Sequence, residues 1–431
     1  MRRAAVLALL AVLAGCGRAS SSTPPPVGPT PQIPAPQHGL IPTVKFAKPI
    51  GWPDGRTPIA APGLKVQALA RGLVHPRTVL GLPNGDVLVA ETNGPAPPPP
   101  KGVRAVAEKV VMGLVGAEVP SPNRITLLRG LKPDGSAASR SVYISGLTSP
   151  FGMALVGDNL YVADTDAILR FPYDPAATHV AGPGAKVIDL PAFPIDHHWT
   201  KTLVASPDGK TLFVSIGSNS NIGENGMAAE KGRARILAVD LATGRAHAYA
   251  TGLRNAVGLA IEPTTGVLWA AVNERDELGD NLPPDYLTSI KDGGFYGWPY
   301  AYWGRRVDTR VKPQRPDLVA TALTPDYALG AHVAPLGLVF YHDAALPPAW
   351  RGGAFVGEHG SWNRSVLNGY KVVYIPFASG RPAGLPRDVL TGFLNGKNQA
   401  MGRPVGLAVD ASGALLVADD VGNAVWRVTT Q

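Results

Sequence analysis

The residues of this chain best suited to chemistry recur in one position. Six times, a short polar turn precedes an apolar run: His75-Pro76-Arg77, Thr148-Ser149-Pro150, His197-His198-Trp199-Thr200-Lys201, Leu253-Arg254-Asn255, His332-Val333-Ala334 and Gly402-Arg403-Pro404. A repeat built for stability alone would accept any turn residue there. Arginines and histidines gathered round one ring would make a pocket for a polyanionic planar ligand, with guanidinium forks for carboxylates and an imidazole to move a proton. Singly, each residue would serve as well to cap its own strand or solvate a loop; the set in one slot is what points to a site. A second set, Glu91, Asp164, Asn273 and Glu358, ends the second strands of the same repeats. On one shared metal those side chains would suit a lactonase or related hydrolase. The arginines of the first slot argue against that, since they match a polyanion better than a cation.

The elements that must carry these turns are hairpins. The pattern is an apolar strand, a glycine-containing turn, a second apolar strand and a polar end. It runs over Arg77 to Glu91, Phe151 to Asp164, Thr202 to Gly217, Val257 to Asn273, Pro335 to Glu358 (more loosely) and Val405 to Asp419. Third strands follow at Arg124-Ile-Thr-Leu-Leu128, Arg235-Ile-Leu-Ala-Val239 and Tyr370-Lys-Val-Val-Tyr-Ile375. Roughly 63 residues per hairpin leaves room for four strands, which predicts an all-β, six-bladed β-propeller. Val66 to Ala70 precedes the first hairpin without a partner, and Ala424 to Val428 ends the chain one strand short of a blade. Pairing them would close the ring and remove two exposed edges. The one good helix candidate is Val103 to Val115, an insertion after Pro97 to Pro100.

Composition agrees. The 431 residues include 50 glycines and 43 prolines with 45% hydrophobic residues. That pair far exceeds its usual share of roughly 12%, which suits many short strands and excludes a helical bundle, coiled coil or collagen. The net charge is +8, but only 17% of residues are charged and no basic face or tail stands out, so a nucleic-acid partner is not expected. The only cysteine, Cys16, rules out an intrachain disulfide. It follows Arg2, Arg3 and an apolar stretch of about eleven residues, too short to span a bilayer. The run Leu13-Ala14-Gly15-Cys16 resembles a bacterial lipobox, which implies cleavage before Cys16 and lipidation of its thiol. The expected organisation is a signal peptide over 1–15, a lipidated Ser/Pro-rich hydrated tether over 16–45 and the propeller over 46–431. The protein would then sit in the bacterial cell envelope, held to the extracytoplasmic side of a membrane.

With these motifs in place the chain resembles the pyrroloquinoline-quinone-dependent soluble aldose dehydrogenases, in the glucose/sorbosone dehydrogenase branch. The matching runs cover almost all of the propeller: Ser121-Pro-Asn-Arg-Ile-Thr-Leu-Leu128, Ser206-Pro-Asp-Gly209, Gly252-Leu-Arg-Asn255, Asn273-Glu-Arg-Asp-Glu-Leu-Gly279, Gly293-Gly-Phe-Tyr-Gly-Trp-Pro299 and His359-Gly-Ser-Trp-Asn-Arg364. The resemblance implies oxidation of an aldose or related sugar aldehyde, with the C1 hydride passing to C5 of the quinone and the electrons to an external acceptor. The family's general base lies five residues before the leucine that opens the third hairpin, which gives His198, with His197 as the alternative if the register slips. Asp196 and His197 would orient it. Arg254 would stabilise charge on the quinone oxygen and, with Asn255, contact the cofactor; Arg364 and Arg403 would pair with its carboxylates. The family's calcium is held largely by backbone carbonyls, which map near Arg275 and Asp276.

Two departures stand out. Asn273-Glu-Arg-Asp276 replaces a Gln-Gly-Pro type turn of the glucose enzymes, and Leu147 stands where they have a cofactor-contacting glutamine. Tyr296 and Trp298 are expected mainly to pack. The sugar pocket would be built from residues 94–120 and 304–332. The remaining alternative is a ligand-binding propeller without catalysis, in which His198 would be dispensable.

Overall fold

The computed structural model describes residues 25–37, 43–96, 119–192 and 196–431. Cys16, the signal peptide, the helix candidate Val103 to Val115 and most of the 94–120 loop lie outside the described residues. The architecture is a six-bladed β-propeller, as the hairpin repeat predicts. Blade 1 comprises Pro76–Gly81, Val87–Glu91, Arg124–Leu131 and Ala137–Ser145; blade 2, Gly152–Val156, Asn159–Ala163, Ala167–Pro172 and Ala185–Asp189. Blade 3 comprises Leu203–Ala205, Thr211–Ile216, Arg235–Asp240 and Ala246–Thr251; blade 4, Asn255–Ile261, Leu268–Asn273, Pro284–Ser289 and Tyr327–Ala331. Blade 5 comprises Pro335–Tyr341, Gly353–Glu358, Lys371–Ala378 and Arg387–Thr391, and blade 6 comprises Pro404–Val409, Leu415–Asp419, Ala424–Thr430 and Leu64–Arg71.

The ring closes as expected. Leu64–Arg71 pairs antiparallel with Ala424–Thr430, with Val66 opposite Val428 and Gln67 opposite Arg427. The core is divided among the six blade-to-blade interfaces: Leu88, Leu127 and Phe171 lie between blades 1 and 2, for example, and Trp269, Phe340 and Ile375 between blades 4 and 5. Leu147 belongs to the first of these clusters. The first strand of each blade lines a central channel. Glycine permits their close approach: a Cβ on Gly337 of blade 5 would overlap the Val405 carbonyl oxygen of blade 6.

The N-terminal segment differs from the hydrated tether expected of it. Within 25–37, Gly28 pairs with Ala328 on the outer strand of blade 4, and the Gln37 amide donates to the Leu278 carbonyl at 2.9 Å. Residues 43–52 continue across blades 5 and 6, and Ile59–Ala60 adds a strand to the outer edge of blade 5. Proline-rich chain has little side-chain surface to bury, but its backbone groups still find partners on the propeller.

Candidate active site

The six polar turns lie at one end of the first strands, and several are sharp. His75, Ser149, His332 and Ala334 have φ of 51°, 49°, 62° and 53°, a left-handed backbone uncommon for residues other than glycine. Buried carboxylates hold the turns in shape. Glu91 accepts the Val74 amide, Asp164 the Thr148 amide at 2.7 Å, Asp285 the Ala334 amide at 2.8 Å and Asp419 the Arg403 amide at 2.7 Å. Glu91 and Asp164, two of the supposed metal ligands, are thus occupied with backbone. Asn273 donates to the Pro335 carbonyl at 2.9 Å, and burial pushes the Glu358 carboxyl up to about 8, so that it is uncharged at neutral pH. Among the described residues no three His, Cys, Asp or Glu side chains come together as a metal site. The ligand set required by a metal hydrolase is not assembled.

Two carboxylates outside that pattern each gather several of the turn residues. The first is Asp276. Arg254 donates to it at 3.1 Å, to the Glu274 carbonyl at 2.8 Å and to the Asn221 carbonyl at 3.3 Å. Trp298 donates to the same Asn221 carbonyl at 2.9 Å, and Tyr296 to the Ser289 carbonyl at 2.6 Å, so both aromatic residues pack and brace. His332 Nδ1 lies 3.4 Å from Asp276, and its Nε2 lies 3.0 Å from the Gly279 carbonyl. Burial opposes charge on His332, but Asp276 and the carbonyl outweigh it and raise its pKa. Burial likewise opposes ionisation of Asp276, and His332 and Arg254 overcome it, keeping the carboxylate ionised.

His198 belongs to this group. Its Nδ1 donates to the Ser218 carbonyl at 2.8 Å, with Ser218 Oγ 3.0 Å away. That bond fixes the neutral tautomer with the lone pair on Nε2. Burial, then the Arg254 cation, hold the imidazole pKa well below 6.5. Gly217 lies between His198 and Asn255; a side chain there would overlap both. Of the two adjacent histidines, His197 is exposed and His198 is the one held by Ser218. The expected orienting role of Asp196 is replaced by Ser218: Asp196 instead accepts Arg233 at 2.6 Å and Thr165 at 2.7 Å, anchoring the loop rather than the ring.

The second hub, Asp420, was not foreseen. It accepts Arg77 at 2.6 Å and His359 Nε2 at 2.9 Å, and His75 Nε2 is 3.7 Å away. Burial drives the His359 pKa down to about 4 and lowers that of His75, so both stay neutral beside the Arg77–Asp420 pair. The Arg77 guanidinium lies 5.9 Å from the Phe151 and Trp199 ring centres. The signal was available in the Asp419-Asp420 pair, where the first carboxylate caps the turn and the second is left over. Arg403 donates to the Ala47 carbonyl at 3.2 Å and lies 5.3 Å from the Tyr370 ring centre.

What these arginines leave unpaired is informative. Arg77 Nε, Arg364 Nε and Nη1 and Arg403 Nε are buried without a hydrogen-bond partner, as is Asn255 Oδ1. Unsatisfied buried polar groups are rare because each loses its hydration uncompensated. Burial lowers the Arg364 pKa, against the counter-effect of Asp280. Guanidinium groups from blades 1, 5 and 6 with open N–H donors fit an anion carrying several carboxylates. Calcium was expected near the Arg275 and Asp276 carbonyls. The Asp276 carbonyl already accepts Arg275 Nε at 2.9 Å and Asn221 Nδ2 at 3.4 Å, while the Arg275 side chain is buried in an ion pair with Asp308.

Residues 131–288 and 317–431 match the TrAA12-like family, and the chain belongs to that family. A pyrroloquinoline quinone-dependent pyranose dehydrogenase of Coprinopsis cinerea is 27% identical over 365 residues, covering 69% of this chain and 48% of that protein. The holo pyrroloquinoline quinone domain of pyranose dehydrogenase from the same organism superposes with a TM-score of 0.70 at 21% identity, over 89% of this chain and all of that one. A calcium structure of Trichoderma reesei Carbohydrate-Active Enzymes Family AA12 gives 0.70 at 20% identity, over 90% and 99%. At that identity the structures establish the shared propeller. The chain spans about half the length of the curated relatives it matches first.

Proposed function

We propose that this protein is a pyrroloquinoline-quinone-dependent sugar dehydrogenase, acting on an aldose or related sugar aldehyde in the manner of a sorbosone dehydrogenase. The observation that carries the reading is the set of buried, unpaired guanidinium N–H groups of Arg77, Arg364 and Arg403 facing the same turn-bearing end as a neutral His198. The named relatives act with this cofactor, and the donors suit its carboxylates. Arg364 and Arg403 would hold those carboxylates, with Asn255 and Arg254 beside the ring. When bound, the quinone supplies a two-electron, hydride-accepting centre. His198 Nε2 accepts the proton of the C1 hydroxyl as the sugar is oxidised. Arg254, fixed by Asp276 and two carbonyls, keeps His198 neutral and presents positive charge where negative charge grows. An external quinone or cytochrome-like acceptor would take the electrons onward. No step here depends on calcium.

The test is a titration of the purified protein with pyrroloquinoline quinone, with and without Ca²⁺, followed by a panel of aldoses and an artificial acceptor. Saturable binding is expected, weakened at least tenfold in Arg364→Met by loss of a charge-assisted pair. Cofactor reduction should vanish in His198→Ala while binding persists. No binding at tens of micromolar by the unaltered protein rejects the reading, and undiminished turnover in His198→Ala rejects the base. The lipobox and its lone cysteine also support a lipid-anchored protein on the outer side of a bacterial membrane. Cys16→Ser should then move the protein from the membrane fraction to the soluble one; an unchanged distribution removes the anchor.

A further inference from the structure

We infer that residues 43–52, which precede the propeller, form a working wall of the ligand site: a strap that positions Arg403 and the Arg364-bearing loop for the anion. This rests on the function proposed above, and it comes from how the strap is fastened. Its first part is tied to the loop between the second and third strands of blade 5. Asn363 Nδ2 donates to the Thr43 carbonyl at 2.6 Å, and the Lys45 amide donates to the Trp362 carbonyl at 2.8 Å. Asn363 Oδ1 also accepts the Glu277 amide at 2.8 Å, so one side chain joins the strap to the loop that carries Asp276. Arg364 follows directly in sequence.

The middle of the strap holds Arg403. Ala47 is completely buried, and its carbonyl accepts Arg403 Nη2 at 3.2 Å. Tyr370 flanks the same guanidinium and is itself held by its hydroxyl, which donates to the Ser361 carbonyl at 2.7 Å. A long side chain so confined has its Nε–H left over for a ligand and little rotamer freedom to lose on capture. The backbone around Lys48 and Ile50 exchanges hydrogen bonds with Ala400, two residues before the Gly402-Arg403 turn, at 2.8 Å in both directions.

The end of the strap is a key. Trp52 Nε1 donates to Asp419 Oδ2 at 2.7 Å, and the Arg403 amide donates to the other oxygen of that carboxylate. Its ring stands edge-on to Trp426 and Phe393 at 5.4 and 5.6 Å. Gly402 and Gly422 make room for it; a Cβ on either would lie 2.6 or 2.5 Å from the indole nitrogen. Trp52 and the Arg403 amide therefore share one acceptor, the Asp419 carboxylate. Freeing the indole releases the backbone carbonyl that steadies Arg403.

Two measurements test this with pyrroloquinoline quinone as the probe on the full chain. In Trp52→Ala the dissociation constant should rise about tenfold, and in Trp52→Phe, which keeps the wedge and loses only the N–H, less than threefold. In the unaltered protein, hydrogen exchange at the Lys45 and Ile50 amides should slow at least severalfold when the cofactor saturates, since whatever the strap gives to binding, binding returns to the strap. This second measurement does not require any variant to fold. An affinity unchanged within twofold in Trp52→Ala, or exchange at both amides indifferent to cofactor, overturns the strap while leaving the dehydrogenase standing. Failure of the unaltered protein to bind cofactor overturns both.

Discussion

The proposed base, His198, could accept a proton only while its imidazole is neutral, and the site secures this twice: by fixing the tautomer through the Ser218 carbonyl, and by setting the Arg254 cation beside it. The sign follows directly. A histidine whose pKa lies below 6.5 keeps its lone pair down to correspondingly lower pH, so the acid limb of kcat/KM falls below pH 6.5. Arg254→Met removes a charge that disfavours the imidazolium while Asp276 keeps His332 as its partner, so the limb should move to higher pH. The same change should cost about 10²–10³ in kcat if Arg254 also meets charge in the transition state. A pH–rate profile of the variant decides both; a limb that stays in place would show that Arg254 does not tune the base. Asp276 and Asp420 illustrate a wider rule. A buried carboxylate that accepts from an arginine and histidines stays charged despite burial, whereas Glu358, whose Oε2 has no hydrogen-bond partner, takes up a proton.

Blades 1, 2, 5 and 6 present their turns through the same pair of devices, a buried carboxylate behind the turn and glycine in the first strand. The acceptors fix backbone that would otherwise relax out of the left-handed region, and so fix where the next side chain emerges. The glycines set how closely the strands approach the axis. Gly337→Ala puts a methyl into the Val405 carbonyl of the next blade, an overpacking that should destabilise the protein by about 1–3 kcal/mol. Gly396 has no neighbour within 4 Å of its notional Cβ and no left-handed backbone, so Gly396→Ala serves as the control with little effect. Denaturant unfolding of the two variants is the check. Equal midpoints would mean that the inner strands can shift to accommodate a side chain.

In the whole molecule, the last blade is made from both ends of the chain, and the site depends on that closure. Arg77 and His75 open blade 1, yet the carboxylate they share, Asp420, lies in blade 6. Trp426 sits at the seam, fully buried, with its indole N–H on Asp419 at 2.9 Å and the Arg71 guanidinium 4.7 Å from its ring centre. Trp426→Ala should cost about 3–5 kcal/mol, the range for emptying a large buried aromatic site. A thermal melt of the variant would reveal it, and a midpoint within a degree or two of the unaltered protein would place the strength of the ring elsewhere. The strap over blades 5 and 6 adds a second tie between an early segment of the chain and the late blades.

The sequence by itself determined the blade and its count, because strand alternation and turn chemistry are local: six hairpins, their polar turns and the orphan strands at both ends could be read without knowing what touched what. It also placed His198, Arg254, Asn255 and Arg403 in equivalent slots of a closed ring, and the family resemblance added Arg364 and gave each its expected role. Only the tertiary structure decided how those residues are wired. Arg77 and Asp420 are 343 positions apart, and Trp52 and Asp419 are 367 apart. No pattern along the chain encodes which loops meet across a ring. Nor does a pattern show which carboxylate is spent on backbone, as Asp164 is, or which arginine is left with donors to spare, as Arg364 is. The stretch before residue 46 reads as a solvated tether for the same reason. Its partners are backbone groups on distant blades, and main-chain hydrogen bonding leaves no periodic trace in proline-rich sequence.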